Sequence, residues 1–174
     1  NQIFFDNISI NEIVTKNKTP FYLYSKAAIE RNYLNFKNSA TASGMLKNKV
    51  CFAMKSNSNI QLLRKLKALG AGCDIVSGGE LKLALKAGFK GSDIVFSGVG
   101  KTAKEIQTAI KAKVYSFNVE SVEELEQIYN IGKELNVRPQ ICFRLNPQVI
   151  AKTHKHISTG NRTHKFGILS ADII

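Results

Sequence analysis

Five short apolar runs recur along this chain, and segments whose apolar residues have the spacing of an amphipathic helix separate them. The runs begin about 20 to 25 residues apart, which is typical of consecutive strand–helix units. Such units place their strands side by side in parallel, because each helix carries the chain back along the sheet. The pattern predicts an α/β fold with strands near residues 50–54, 73–76, 94–96, 114–119 and 141–145.

Glycines and an N-terminal apolar stretch add further local predictions. Gly70, Gly88 and Gly132 are expected at or near helix ends, where glycine commonly terminates a helix. Ahead of the repeats, Phe21–Tyr24 predicts a short strand and residues 26–38 predict a helix.

Polar or conformationally permissive residues follow every apolar run. Both a doubly wound sheet and part of an eight-stranded barrel fit this number of units. Chemistry at the end of each strand favours the barrel, because barrel active sites are built from the loops that follow the strands. We therefore expect a partial TIM (β/α)8 barrel with about five to six βα units, in which the residues at the strand ends include Lys55, Ser77, Ser97, Asn118, Glu120 and Arg144.

The charge balance raises the question of an acidic partner, because the formal net charge is +12. The lysines, however, are spread through the helical segments, as expected for a solvated surface. We expect no nucleic-acid partner, although an anionic substrate or cofactor would be attracted.

Neither a membrane nor an oxidising compartment is indicated. No apolar run approaches the roughly 20 residues that a membrane span needs. The cysteines Cys51, Cys73 and Cys142 are far apart within apolar runs, which predicts small buried thiols instead of disulfides or a zinc site. We expect a cytoplasmic protein.

Lys55 is the sharpest single candidate for chemistry. It directly follows an apolar run, so its ammonium is expected at the mouth of a partly dry site. Desolvation favours the neutral amine, which is the nucleophile that forms a Schiff base with an aldehyde cofactor. On position alone, a strand-end lysine that reaches solvent is the commoner case.

Three other motifs are interpreted structurally. Gly98–Thr102 ends like a phosphate loop, but the pattern requires a glycine where Val95 stands. Ser77–Glu80 can cradle an anion but more often caps a helix. The cluster of His154, His156 and His164 has no carboxylate or cysteine at ligand spacing, so no metal site is expected.

Seven blocks of residues, in order, resemble the fold-type III pyridoxal-phosphate-dependent decarboxylases, and in particular the diaminopimelate decarboxylases. The resemblance spans nearly the whole chain, and its order makes chance an unsatisfactory explanation. The blocks begin with Phe52–Asn59 and continue through Asp74–Glu80, Val95–Thr102, Phe117–Ser121, Arg144–Pro147, Lys152–Gly160 and Lys165–Gly167.

The resemblance implies a barrel of the alanine racemase-like type and pyridoxal 5'-phosphate as cofactor. In such enzymes the lysine that matches Lys55 holds the cofactor, and the residues that match Asp74 and Arg144 lie near it. The cofactor accepts the electrons released when the α-carboxylate leaves as CO₂.

The segment 152–160 resembles the loop that covers the substrate in this family. His154, Ile157 and Ser158 are the expected substrate or lid residues. Lys155 and His156 depart from the family, which more often has proline and an aromatic residue at these positions.

The resemblance implies an enzyme that decarboxylates meso-diaminopimelate to L-lysine and CO₂. This reaction belongs to lysine biosynthesis, a pathway of amino-acid biosynthesis. Family members are more than twice as long, so we expect a truncated chain that is inactive by itself. Residues 1–25 would form an N-terminal segment and residues 26–174 the first part of the barrel. A homodimer with shared active sites is implied for the full-length protein.

Three alternatives remain open at this point. One is a related decarboxylase acting on ornithine, arginine or a polyamine precursor. A non-catalytic pyridoxal-phosphate carrier is the second, and a nucleic-acid-binding module with salt-dependent affinity is the third.

Overall fold

A computed structural model describes residues 2–147 and 166–169 of the chain. The chain divides into two compact units, Asn1–Lys49 and Val50–Ile174. The first unit contains two short antiparallel strands and two helices: β1 (Phe4–Phe5), β2 (Ile8–Ser9), α1 (Ile10–Lys16) and α2 (Lys26–Ala42). The boundary expected after residue 25 stays a prediction.

The second unit alternates strands and helices, as the apolar periodicity predicts. Its strands are β3 (Cys51–Ala53), β4 (Gly72–Ile75), β5 (Ile94–Phe96), β6 (Ser116–Val119), β7 (Ile141–Phe143), β8 (Leu145–Asn146) and β9 (Ile168–Leu169). Its helices are α3 (Ile60–Ala68), α4 (Gly78–Ala87), α5 (Ala103–Lys111) and α6 (Val122–Glu134).

The order of the strands distinguishes the two folds that the sequence left open. Strands β3 to β7 form one parallel sheet in which neighbours in space are neighbours in the chain. A doubly wound sheet reverses its strand order at a switch point, whereas a barrel does not. Strand β9 pairs in parallel with β8, which continues the chain after β7. The predicted partial barrel is confirmed.

One face of the sheet packs against the helices and forms the hydrophobic core of the second unit. The core combines alternate strand residues with the apolar faces of the helices, and its fully buried members include Leu63, Cys73, Ile75, Leu81, Ile94, Phe96, Ile106, Phe117, Val119 and Ile128. Because successive strand residues point to opposite faces, their polar neighbours project to the other side of the sheet.

One local prediction is wrong. Phe21–Tyr24 forms no strand, and its residues carry no ladder pairing although the segment is rich in β-formers. Gly132 lies near the end of α6, as predicted, two residues before Glu134. An added Cβ at Gly132 would be 2.9 Å from the Pro139 Cδ atom, so close packing also requires glycine there. Gly88 terminates α4 with a φ of 97°.

None of the helices in the described part of the chain is both long and apolar enough to cross a membrane.

Candidate functional site

The carboxyl ends of the parallel strands surround a cavity of about 660 Å³ in the second unit. This size falls within the range of small-molecule sites. Its lining combines charged, polar and aromatic residues with a glycine-rich loop: Lys55, Asp74, Val76, Ser97, Gly98, Val99, Gly100, Asn118, Phe143, Arg144 and Phe166.

Lys55 reaches this cavity from a single 3-10 turn, Met54–Ser56, that follows β3. The turn is anchored because the Met54 side chain is buried and the Ser56 hydroxyl donates a 2.7 Å hydrogen bond to the Ala53 carbonyl oxygen. Lys55 itself is exposed. This exposed side chain nevertheless lines the cavity, and the expectation of a partly dry amine stays a prediction.

A chain of hydrogen bonds joins three neighbouring strands across the cavity floor. The Asn118 side-chain amide donates to the Ser97 hydroxyl oxygen at 2.9 Å, and the Ser97 hydroxyl donates to Asp74 Oδ1. Asp74 lies in β4, Ser97 follows β5 and Asn118 lies in β6. These bonds fix the orientation of the Asp74 carboxylate, because a serine that receives one hydrogen bond directs its own proton to the remaining acceptor.

Arg144 follows β7 and is held on two sides. Its Nη1 donates to both carboxylate oxygens of Glu120 at 3.0 Å. Its guanidinium also lies 4.8 Å from the centre of the Phe166 ring, a distance typical of cation–π stacking. The Arg144 side chain is 42% exposed and the Glu120 side chain only 2%. The cationic group therefore faces the cavity from a buried anionic support.

Lys101 belongs to the wall behind the cavity and not to its surface. Its side chain is fully buried, and Nζ lies 2.6 Å from Glu124 Oε1. It also donates to the carbonyl oxygens of Gly98 and Asn118, at 2.7 and 2.8 Å. All three contacts are internal, so the exclusion of a phosphate loop at Gly98–Thr102 agrees with the structure.

The serine–glycine segment after β4 is a helix cap, as predicted. Ser77 is the N-cap residue of α4, and its hydroxyl accepts a hydrogen bond from the Glu80 backbone N–H. The Gly78 N–H donates to Glu105 Oε1 at 2.7 Å. This donor is therefore used within the protein.

The cysteines have three different environments. Cys73 is fully buried, and burial raises the pKa of its thiol to about 12, so it stays protonated at neutral pH. Cys51 is half-buried, but Cys142 is exposed. The prediction of burial is wrong for Cys142, because β7 presents this residue on the sheet face opposite the helices.

The structure brings three of the predicted site residues, Lys55, Asp74 and Arg144, to one cavity. His154, Ile157 and Ser158, predicted for the lid, lie outside the described residues, as do His156 and His164. Ser97, Asn118 and Glu120 were among the predicted strand-end residues, but no role was predicted for them. Their position at the ends of the apolar runs was the sequence signal that could have identified them as site residues.

Comparison with known proteins connects this geometry to a family. The family described as "pyridoxal-dependent decarboxylase, pyridoxal binding domain" matches residues 26–173. The diaminopimelate decarboxylase of Pseudomonas fluorescens is 45% identical over 172 residues, which cover 98% of this chain and 41% of the relative. The enzyme of the same name from Vibrio cholerae is 44% identical over 167 residues, covering 96% of this chain and 39% of the relative.

Solved structures of diaminopimelate decarboxylases have a fold similar to that of this chain. The diaminopimelate decarboxylase of Helicobacter pylori, complexed with L-lysine, has a TM-score of 0.87 at 43% identity, with 93% of this chain and 40% of that chain covered. The enzyme from M. jannaschii has a TM-score of 0.89 at 37% identity, with 99% of this chain and 41% of that chain covered.

The chain spans about two fifths of the length of the curated relatives it matches. The family match, by contrast, covers most of the chain and includes every strand that lines the cavity. The predicted cofactor, pyridoxal phosphate, is confirmed at the level of the family. This chain belongs to the pyridoxal-binding domain family of the pyridoxal-dependent decarboxylases.

Proposed function

We propose that this chain is the pyridoxal-binding part of a diaminopimelate decarboxylase, and that the whole protein converts meso-diaminopimelate to L-lysine and CO₂. The observation that carries the proposal is the convergence of Lys55, Asp74 and Arg144, from three separate strand ends, on one cavity. Relatives of this name match almost the whole chain at 44–45% identity.

The residues of the cavity fit pyridoxal phosphate by their chemistry. The cofactor has an aldehyde, which needs an amine, and a phosphate, which needs donors or positive charge. The cavity provides the amine of Lys55, the guanidinium of Arg144 and a volume of about 660 Å³. When bound, the cofactor supplies an electron sink for the carbon that loses the carboxylate.

Lys55 is the residue that we propose to hold the cofactor. Among the described residues that line the cavity, it carries the only primary amine. Its exposed side chain on an anchored turn can reach a ligand without movement of the strand. With the cofactor and substrate bound, the free Lys55 Nζ atom would be able to accept and return a proton.

Asp74 and Arg144 are proposed to orient the bound cofactor. The hydrogen bond from Ser97 keeps the Asp74 carboxylate in one rotamer, and the negative charge favours the protonated form of an adjacent amine or ring nitrogen. Arg144 contributes a cation whose remaining N–H groups are donors for an anionic group of the ligand.

The remaining assignments rest on the resemblance. His154, Ile157 and Ser158 are proposed to contact an amino-acid substrate from a loop that covers it. We also propose a cytoplasmic homodimer with shared active sites and no nucleic-acid partner. The three cysteines, none of them in a disulfide, support a reducing compartment.

A substrate comparison tests the function. The full-length protein that carries this chain is incubated with meso-diaminopimelate, ornithine, arginine or lysine, and CO₂ release is measured with pyridoxal phosphate present. We expect turnover of meso-diaminopimelate at least about 100-fold above the others, since buried polar contacts discriminate strongly between substrates. Preference for ornithine or arginine would overturn the assignment.

The role of Lys55 has a separate test. Lys55→Ala should abolish the absorbance band that the bound cofactor shows, whereas Lys82→Ala, which removes an exposed lysine of α4, should leave it intact. If both variants take up the cofactor like the wild type, Lys55 does not anchor it.

A further inference from the structure

Glu120 is the most buried acidic residue of the described chain. Its side chain is 2% exposed. A carboxylate at such a depth is costly unless it is paired and hydrogen-bonded. Glu120 Oε1 accepts from the Gly98 N–H at 2.9 Å, and both oxygens accept from Arg144 Nη1 at 3.0 Å.

These contacts join two parts of the cavity wall. Gly98 belongs to the loop after β5, and Arg144 follows β7, so Glu120, which follows β6, connects the ends of the strands on either side of β6. Both partners line the cavity, whereas Glu120 does not. Its effect on a ligand therefore has to pass through them.

Glu120 is itself fixed in place. Its backbone N–H donates to Glu124 Oε2 at 3.0 Å, and the other oxygen of Glu124 is paired with the buried Lys101. These contacts fix the position of the Glu120 carboxylate inside the protein.

Phe166 restrains the other side of the same arginine. The Phe166 ring centre lies 4.8 Å from the Arg144 guanidinium and covers one of its faces. Glu120 occupies the guanidinium nitrogen Nη1. An arginine side chain that is 42% exposed would otherwise sample many rotamers, and ordering it would weaken ligand binding.

We propose that Glu120 is a positioning residue that acts through Arg144: it holds the guanidinium at the cavity so that this cation can receive an anionic group of the cofactor without ordering it first. The inference rests on the proposed function. It assigns no contact between Glu120 and the ligand.

The test measures cofactor affinity in the full-length protein, titrated with pyridoxal phosphate and followed by absorbance. Glu120→Gln keeps the shape of the side chain but removes its charge and one acceptor. We expect the dissociation constant to rise about tenfold, as the loss of a charge-assisted hydrogen bond predicts. Glu126→Gln, which removes an exposed carboxylate of α6, is the matched control and should change it less than twofold.

A double-mutant cycle separates positioning from general destabilisation. If Glu120 acts through Arg144, Glu120→Gln should add less than about twofold to the loss caused by Arg144→Gln. Wild-type affinity in Glu120→Gln, or an undiminished effect in the Arg144→Gln background, would overturn the proposal.

A folding failure does not block the test. If Glu120→Gln has no cooperative melting transition, Glu120→Asp replaces it, because it keeps the buried charge but withdraws the carboxylate by one methylene. The same dependence on Arg144 is then required. Absence of CO₂ release from a wild type that binds cofactor would overturn the proposed function, while the affinities would still decide the role of Glu120.

Discussion

The two faces of the five-stranded sheet carry side chains of opposite character, although they alternate along the same strands. In β4, Cys73 and Ile75 are fully buried against the helices, while Asp74 between them lines the cavity. In β6, Phe117 belongs to the core, while the next residue, Asn118, lines the cavity. One strand therefore supplies both the core and the site.

The difference lies in what holds each side chain in place. On the helix side, position follows from burial and close packing, which are non-directional and tolerate replacement by an apolar residue of similar volume. On the cavity side, Asp74, Ser97 and Arg144 are held by hydrogen bonds from neighbouring strands, which require particular atoms. Core changes should alter stability first, and cavity changes should alter ligand binding first.

The largest expected effect on stability comes from the helix side. Phe96→Ala removes a fully buried ring that packs 5.9 Å from the ring of Phe117. The lost burial and the remaining cavity should lower the free energy of unfolding by about 4 kcal/mol. Urea denaturation measures this, and a loss under 1 kcal/mol would contradict the assigned core.

Lys101 is an exception to this division, because it is a charged residue whose buried contacts should contribute to stability and not to ligand binding. Lys101→Met should cost about 3 kcal/mol, because it leaves the Glu124 carboxylate, 10% exposed, without its cation. Lys104→Met, at an exposed position of α5, is the control and should change stability little. Equal melting temperatures for the two variants would show that the buried pair is unimportant.

The loop after β5 contains two glycines that differ in backbone conformation and in the space available for a side chain. Gly98 has a φ of 100°, and an added Cβ would lie 3.3 Å from the Val76 Cβ, so Gly98→Ala should cost about 1 to 3 kcal/mol. Gly100→Ala meets no atom within 4 Å and should be nearly neutral. Thermal unfolding compares them, and the reverse order would refute the loop conformation.

Ser97 gives the sharpest contrast with its neighbour Phe96. Ser97→Ala removes the hydroxyl between Asp74 and Asn118 and should cost only about 1 kcal/mol of stability. Cofactor affinity should nevertheless fall several-fold, because Asp74 loses its fixed orientation. Ser92→Ala, an exposed serine before β5, is the control in the same titration. Unchanged affinity in Ser97→Ala would separate the hydrogen-bonded chain from the site.

The smallest effect is a pH dependence at the start of α5. The Thr102 backbone N–H, followed by that of Gly78, holds the pKa of Glu105 below its ordinary value of 4.5. Because the folded pKa is lowered, the stabilisation is present above about pH 4.5 and is lost as the pH falls through the folded value. Glu105→Gln should cost less than about 1 kcal/mol at neutral pH, since the group is partly solvated. Denaturation at pH 7 and pH 3 should show that this difference is smaller at pH 3.

Much of the fold was predictable, because local patterns carry it. Apolar runs about 20 to 25 residues apart predicted the five strands to within one residue at each end, except that β6 begins at Ser116 instead of residue 114 and β7 ends at Phe143 instead of residue 145. The failure is Phe21–Tyr24, where the lack of a pairing strand outweighs the local preference for β structure.

The site was predictable only in part. Lys55, Asp74 and Arg144 could be named because each follows or lies within an apolar run in a block that resembles known decarboxylases. The burial of Glu120 and its bond to Arg144 could not, because 24 residues separate the two along the chain. The 3-10 turn that carries Lys55 could not be predicted either, although position alone favoured an exposed lysine.

The sequence by itself determined the alternation of strands and helices, the residues at the strand ends and the family resemblance, because periodicity and motif order are properties of the chain. Only the tertiary structure decided the order of strands in the sheet and which polar atoms meet. Those depend on contacts between residues more than 20 positions apart, such as Ser97 with Asp74 and Glu120 with Gly98. Such contacts exist only once the parallel strands are aligned, and local patterns do not encode their distances.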